Sequence, residues 1–234
     1  MNMPWVNCLA AFGLVFVVTG GFAAVGNAQS ISGQAYGAYV NTPVASFAQS
    51  PLAVLPFTSG TDGNIATAEA DVLNVPNALS SDFLNSTATG ALGATEASAQ
   101  SVATVADINI LNGLIAATEV IATVTSTRTA SGASSSGNGS SFEGLTVAGV
   151  PVTSGDGWVA PNTQMSLPGV GYVVLNEQIP SGDGVTSSGL TVNMIHVYLQ
   201  SLTGGGCTVL GCLPGTLTNT GEIIVGSATS SVGP

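Results

Sequence analysis

Residues 190–199 read LTVNMIHVYL, and this stretch carries the clearest fold signal in the chain. β-Branched and aromatic residues dominate it, and its side chains alternate with the period of two that is typical of a β-strand. Both faces of the predicted strand carry apolar residues, since Ile195 and Val197 point to the opposite face from Val192 and Met194. We therefore expect either a central strand of a sheet or a strand surface that pairs with another subunit.

Similar stretches recur along the chain and are separated by Gly, Pro, Asn and Asp residues. They cover 32–40, 65–75, 98–127 with a break at Asn112-Gly113, 145–152, 165–179 and 222–229. This pattern predicts an all-β fold, most simply an antiparallel β-sandwich with Greek-key-like connections. A short β-solenoid is the alternative, because an Ala-Asp-apolar motif occurs at both 70–72 and 106–108.

One β-rich domain is predicted over residues 29–234, preceded by a leader at Met1–Ala28. The leader has an apolar run at 9–18 and ends in small residues, as a signal-peptide helix does. Its apolar run is shorter than the roughly 20 residues of a membrane-spanning helix. We predict a secreted or cell-surface protein with no membrane span after leader removal. A retained N-terminal anchor is the alternative, since no Lys or Arg precedes the run.

The segment 125–141 is rich in Ser, Thr, Gly and Ala. Such a composition is typical of solvated linkers. It predicts a flexible loop inside the single domain.

The chain is poor in charge, and its few charges are acidic. Charged residues make up 6%, and a single cation, Arg128, faces twelve acidic residues, so the net charge is −11. Nucleic-acid binding requires clustered Lys and Arg, so that class of partner is excluded. An uncharged polar surface suits a neutral partner, such as a surface glycan or a second copy of the chain.

Three cysteines are present, and Cys8 would leave with the leader. Cys207 and Cys212 then form an even, closely spaced pair, which predicts a local disulfide in an exported protein. A redox pair or half of a metal site are the alternatives. A redox pair is usually spaced C-x-x-C, and a zinc site requires further ligands that this chain lacks.

Ser-Gly-Asp-Gly-like segments lie at 59–63, 154–157 and 181–184. Asp-Gly favours tight turns, whereas a calcium loop requires several carboxylates and each segment has one. We predict turns, and neither a metal nor another cofactor.

Residues suited to catalysis are scarce. The chain has no lysine, and His196 is its single histidine, so Schiff-base chemistry and sites with two histidines are excluded. His196 lies an even number of residues from Leu190 and Val192, and Glu177 lies two residues from Leu175. With a period of two, each polar group is therefore predicted to lie on the same face as these apolar side chains. Because buried ionisable groups require partners, we expect the two strands to be neighbours and Glu177 to contact His196 or backbone amides. An acid/base pair is possible chemically, but a structural polar pair is preferred, and no catalytic residue is predicted.

Three aromatic residues are candidates for ligand binding. Trp158, Tyr172 and Tyr198 could form a platform on which sugar rings stack. Core packing is the competing interpretation of the same residues.

Six short motifs follow one another along the chain: SGQAYG at 32–37, GLTVAGVPV at 144–152, PNT at 161–163, LNEQ at 175–178, TVNMIHV at 191–197 and GEIIVGSA at 221–228. This ordered set resembles the choice-of-anchor P family of bacterial exported proteins. The resemblance implies a β-rich exported domain and places Glu177 and His196 among the shared positions. It implies no established activity and no catalytic residues.

The sequence therefore favours a structural or self-associating surface protein without catalytic activity. A module that binds glycan or another surface component is the alternative. A hydrolase would require a cleft that holds His196 or Glu177.

Overall fold

The computed structural model describes residues 29–58, 63–153, 157–208, 211–213 and 215–234. The leader predicted at 1–28, most of the turn at 59–63 and most of that at 154–157 lie outside these ranges. The described part is all-β and consists of antiparallel sheets that are not closed into a barrel. The predicted β-sandwich is thus confirmed.

The first sheet has six strands in the order β13-β14-β15-β18-β1-β2. Their bounds are β1 Ser30–Asn41, β2 Ser46–Thr58, β13 Thr163–Leu167, β14 Gly171–Gly182, β15 Ser188–Thr203 and β18 Thr216–Gly233. The stretch quoted at the outset lies in β15, between β14 and β18. Its expected central position in a sheet is therefore confirmed.

The second sheet has ten strands and contains the long meander β6-β7-β8. Its strands are β3 Asn64–Ala70, β4 Leu73–Val75, β5 Leu79–Ser81, β6 Phe83–Leu92, β7 Ala97–Ile110, β8 Ile115–Thr129, β9 Gly132–Ser136, β10 Ser141–Glu143, β11 Thr146–Val147 and β12 Val150–Pro151. The break expected at Asn112-Gly113 is the turn between β7 and β8, where Gly113 has a φ of 85°.

The inner faces of the two sheets pack on each other and exclude water. The main core is built from fully buried side chains of both sheets, including Ile195, Val225, Val120 and Ile110. A smaller cluster around Ile31 extends the core toward one end. Burial of this apolar surface is the dominant stabilising contribution, at about 25 cal/mol per Å².

The side-chain alternation of the first sheet changes phase along one line across four strands. Two successive residues of each strand point inward there: Leu175-Asn176 in β14, Met194-Ile195 in β15, Val225-Gly226 in β18 and Gly37-Ala38 in β1. Strand pairing keeps one register on both sides of the line, as Leu175 opposite Ile195 and Glu177 opposite Asn193 show. We call this line the phase switch.

Positive φ angles in alternate strands accompany the phase switch. Asn176 has a φ of 49° and Gly226 a φ of 67°. Asn tolerates this left-handed conformation better than most residues, and Gly adopts it without steric cost. The second sheet makes a matching change around Asp107, which has a φ of 51°, so that Val105 and Ile108 both point inward.

The phase switch corrects the predicted strand faces. His196 and Glu177 lie on the outer face of the sheet, whereas Leu190, Val192 and Leu175 belong to the inner core. The predicted shared faces are wrong because a strict period of two was extended across the switch. The phase switch also explains why residues 190–199 carry apolar side chains at both odd and even positions.

The loop predicted at 125–141 is also corrected. Strand β8 continues to Thr129 and pairs with β9, which begins at Gly132. Ser126 is fully buried, and its hydroxyl lies 2.7 Å from those of both Ser135 and Ser230. Hydroxyl pairs replace apolar contacts here, so a composition that is typical of loops forms a hairpin.

Strands β15 and β18 extend beyond their neighbours as a two-stranded ribbon. Residues 200–203 pair with 216–219, past the last pairs that β14 and β1 make. A small hairpin, β16 Gly206–Thr208 and β17 Gly211–Leu213, follows and places the backbones of Cys207 and Cys212 opposite each other. We call residues 200–219 the arm.

Candidate functional site

Glu177 and His196 meet on the outer face of the first sheet. Strands β14 and β15 are hydrogen-bonded neighbours, and Nδ1 of His196 lies 2.7 Å from Oε2 of Glu177. The other ring nitrogen, Nε2, lies 3.1 Å from Oε2 of Glu222 on β18. Carboxylate oxygens accept hydrogen bonds, so both contacts are satisfied only when the ring carries both protons.

Aromatic rings cover this pair. Tyr198 stacks on the His196 ring with centroids 3.9 Å apart, and Tyr172 stacks on Tyr198 at 4.7 Å. Tyr198 also donates its hydroxyl to Oε1 of Glu177 at 2.8 Å. Only 6% of the His196 surface remains exposed, although the residue lies on the outer face.

The surroundings of Glu177 stabilise its charged form. Burial alone would raise the pKa of Glu177, but hydrogen bonds from His196, Asn193 and Tyr198 lower it to about 2. In Tyr198, burial and the bonded Glu177 carboxylate both raise the pKa of the phenol above its usual value. A carboxylate this acidic is a poor general base near neutral pH.

Buried polar groups continue the cluster toward β1. Asn193 donates to Glu177 at 2.8 Å and accepts from the Ser227 hydroxyl at 2.7 Å. Tyr36 is next: burial raises the pKa of its phenol, and hydrogen bonds with Ser227 and Gln49 partly offset this effect. We call Glu177, His196, Tyr198, Glu222, Asn193, Ser227 and Tyr36 the polar cluster.

The polar cluster is closed on itself. Each oxygen of Glu177 accepts from a neighbouring side chain, and both nitrogens of His196 face carboxylates. Such an arrangement fixes strand register, because a shift of one residue would leave buried charges without partners.

The three predicted aromatic residues do not form one platform. Tyr172 stacks on Tyr198 of the polar cluster, whereas Trp158 lies in the segment before β13 and is 59% exposed. Trp158 lines a separate cleft together with Asn176 and Gln178, which flank Glu177 in the chain.

This second site, the Trp158 cleft, has a volume of about 630 Å³. Neutral residues from four segments line it, among them Ser135, Asn138, Trp158, Asn162, Asn176 and Gln178. Amide groups dominate its polar lining. Sequence reasoning missed these amides, although PNT at 161–163 and LNEQ at 175–178 were among the family-like motifs.

The Asp-Gly turn at 181–184 is satisfied internally. The Asp183 carboxylate accepts from the backbone amides of Val185, Thr186 and Ser187 at 2.8–2.9 Å. Hydrogen bonds from Thr186 and these amides hold the pKa of Asp183 below its usual range. Among the residues that the structure describes, no group of three or more His, Cys, Asp or Glu could hold a metal ion.

The side chains of Cys207 and Cys212 lie outside the described part of the structure, so their disulfide stays a prediction. No helix in the described ranges is both long and apolar enough to cross a membrane. No protein-family model, curated protein or solved structure matches this chain.

Proposed function

We propose that this protein is a secreted or cell-surface structural protein whose copies associate through the arm. The observation that carries this proposal is an exposed leucine pair on the arm. Leu202 and Leu217 lie opposite each other in the ribbon and are 66% and 62% exposed. Large apolar side chains that pair on a projecting element are typical of interaction surfaces rather than of a solvated hairpin.

The arm carries no charge. Residues 199–221 contain no Asp, Glu, Lys, Arg or His, although the whole chain has a net charge of −11. Two copies can therefore approach through this segment without the repulsion that acidic surfaces would cause. A second copy is the partner that fits an uncharged, apolar-faced ribbon on an acidic protein.

A second apolar surface supports the same role. Leu52 and Val54 are exposed on β2, the edge strand of the six-stranded sheet, and residues 46–58 are also uncharged. Charged side chains are one means by which soluble proteins protect edge strands, and β2 has none, although it contains Pro51.

The polar cluster is consistent with a structural rather than a catalytic role. His196 is buried and Glu177 partly buried, and the two are bonded to each other and contacted by Tyr198. A catalytic acid or base requires access to a substrate, and neither residue lines the Trp158 cleft or four further clefts among the described residues.

Export and surface location rest on the leader and on the resemblance to choice-of-anchor P proteins. Both suit a chain whose only Lys or Arg is Arg128. The disulfide at the end of the arm belongs to the same proposal, because the backbones of Cys207 and Cys212 lie opposite each other. Alkylation of the exported protein followed by mass spectrometry should show that these two cysteines do not react before reduction and are alkylated after it.

Light scattering and negative-stain electron microscopy of the protein, with and without calcium, test self-association. We expect oligomers or ordered polymers in both conditions. Leu202→Glu should shift the protein to monomers, whereas Val72→Glu, at a position 69% exposed in the connection between β3 and β4, should not. A monomer at all concentrations, or equal effects of the two variants, would refute the proposal.

A further inference from the structure

We propose that the Trp158 cleft binds a neutral saccharide. This inference does not depend on self-association, because the cleft shares no residue with the arm. Its volume, about 630 Å³, falls within the range of about 300–1,000 Å³ that is usual for small-ligand sites.

The exposed indole supplies an apolar face. Trp158 is 59% exposed, which is unusual for the largest side chain in a chain with only 6% aromatic residues. Pro161 and Pro180 also line the cleft and add rigid apolar surface. The aliphatic C–H face of a sugar ring packs against such surfaces, while its hydroxyl groups remain free to bond elsewhere.

Three side-chain amides supply hydrogen-bonding groups. Three polar groups of the lining have no hydrogen-bond partner among the described residues. They are the side-chain nitrogen of Asn162, Oε1 of Gln178 and the side-chain amide of Asn138. Amides donate and accept at once, which matches hydroxyl groups that do the same. A few convergent polar groups around an aromatic surface are the usual composition of a site that orients a ligand.

Hydrogen bonds already hold the side-chain amides of Asn162, Asn176 and Gln178 in place. Asn176 donates to the Val159 carbonyl at 2.8 Å and thereby fixes the segment that carries Trp158. Gln178 donates its side-chain amide to Asn176 at 3.1 Å and its backbone amide to Asn162 at 2.8 Å. A preorganised site loses less conformational entropy when its ligand binds.

The lining selects the ligand class. None of the described residues that line the cleft is charged, so phosphate, sulfate and carboxylate groups would find no counter-charge among them. Their desolvation would be uncompensated. Lipid chains are disfavoured by the amides. A neutral polyol with one apolar face satisfies both the indole and the amides.

Tryptophan fluorescence gives a direct test. The chain has two tryptophans, Trp5 and Trp158, so the Trp5→Phe variant of the full chain reports on Trp158 alone. We would titrate this variant with neutral oligosaccharides of glucose, mannose, xylose and N-acetylglucosamine, and with galacturonate oligomers as the charged counterpart. We expect a saturable emission shift with at least one neutral series and at least tenfold weaker binding of the uronate series.

Matched variants separate the cleft from other surfaces. Calorimetric titration should show that Trp158→Ala lowers the affinity at least tenfold, whereas Phe83→Ala, which removes an aromatic residue 41% exposed on the other sheet, leaves it unchanged. Absence of a shift with every neutral series, preference for the uronates, or equal effects of the two variants would overturn the inference. Circular dichroism of each variant verifies that it is folded.

Discussion

Strand β14 presents two contrasting sites within three consecutive residues. Glu177 points outward into the polar cluster, where its carboxylate accepts from His196, Asn193 and Tyr198. Asn176 and Gln178, on either side, line the Trp158 cleft. Both oxygens of the charged group are hydrogen-bonded, whereas Gln178 keeps an amide oxygen that has no partner among the described residues, and Asn176 is buried and holds Gln178 in place.

This contrast separates stability from recognition. An ionisable group that is buried among its partners contributes to the folded state and has little capacity left for a ligand. Amides that are oriented but only partly bonded keep that capacity. We infer that ionisable side chains hold this sheet together, and that neutral ones contact the surroundings.

Removal of the Glu177 carboxylate should have the largest effect. Glu177→Ala leaves His196, Asn193 and Tyr198 without their shared acceptor, and the loss of each hydrogen bond to a charged group costs about 1.5–3 kcal/mol. Urea unfolding monitored by circular dichroism would measure this loss.

Glu177→Gln separates charge from shape. It keeps the volume but replaces an acceptor oxygen by an amide nitrogen, so we expect it also to destabilise the fold by at least about 1.5 kcal/mol, as lost hydrogen bonds to charged groups do. Unchanged stability in both variants would mean that the polar cluster does not stabilise the sheet.

Replacement of Gly226 should have the next largest effect, because it disturbs the phase switch that separates the two sites. An alanine Cβ would lie 3.0 Å from Val120 Cγ1, at a φ of 67°. The left-handed backbone costs about 1–2 kcal/mol, and overpacking of the core adds about 1–3 kcal/mol.

Gly113→Ala is the matched control for Gly226→Ala. Gly113 has a φ of 85°, but its added Cβ would meet nothing within 4 Å, so only the backbone cost applies. Equal losses of unfolding free energy in the two variants would show that contact across the sandwich at Gly226 is unimportant.

The phase switch also explains which features the sequence could predict. Alternation within 190–199 and 172–179 was sufficient to predict the strands, and the cost of buried charge led to the expected meeting of Glu177 and His196. The faces were wrong because alternation was assumed to be uninterrupted. Gly226 inside a strand and Asn176 directly after the apolar run 173–175 were local signals of an irregularity. Two adjacent inward residues, Met194 and Ile195, look in sequence like a strand that is apolar on both faces.

The Trp158 cleft was less accessible to sequence reasoning for a different reason. Its lining comes from segments far apart in the chain, such as 135–140 and 176–180. Their proximity depends on the sheet pairing and on the phase switch, which turns Asn176 toward the cleft. Asn and Gln are also common in turns, so their composition alone did not indicate a site.

Acid should weaken the polar cluster before it affects the amides of the cleft. The pKa of Glu177 is lowered from 4.5 to about 2 in the folded chain, so its contribution is fully present above pH 4.5. The contribution is lost as the pH falls from about 4.5 toward 2, because the unfolded chain binds the proton first. Stability should therefore fall across this window.

Glu177→Gln isolates the Glu177 contribution to acid sensitivity. Asp183 also has a pKa held below its usual range, so part of the acid sensitivity will remain in this variant. Urea unfolding between pH 2 and 6 should show a smaller slope for Glu177→Gln than for the parent. An identical slope would assign the acid sensitivity to other carboxylates.

The smallest change in stability is expected for Gln178→Ala, one residue from Glu177. Its side chain is half-buried and makes one hydrogen bond to another side chain, the bond donated to Asn176. Loss of one neutral hydrogen bond costs about 0.5–1.5 kcal/mol, well below the effect of Glu177→Ala. The same variant removes an amide from the Trp158 cleft and should weaken saccharide binding several-fold in calorimetric titration. If Gln178→Ala destabilised the fold as much as Glu177→Ala while leaving binding intact, the division between an enclosed stabilising surface and an open recognition surface would be wrong.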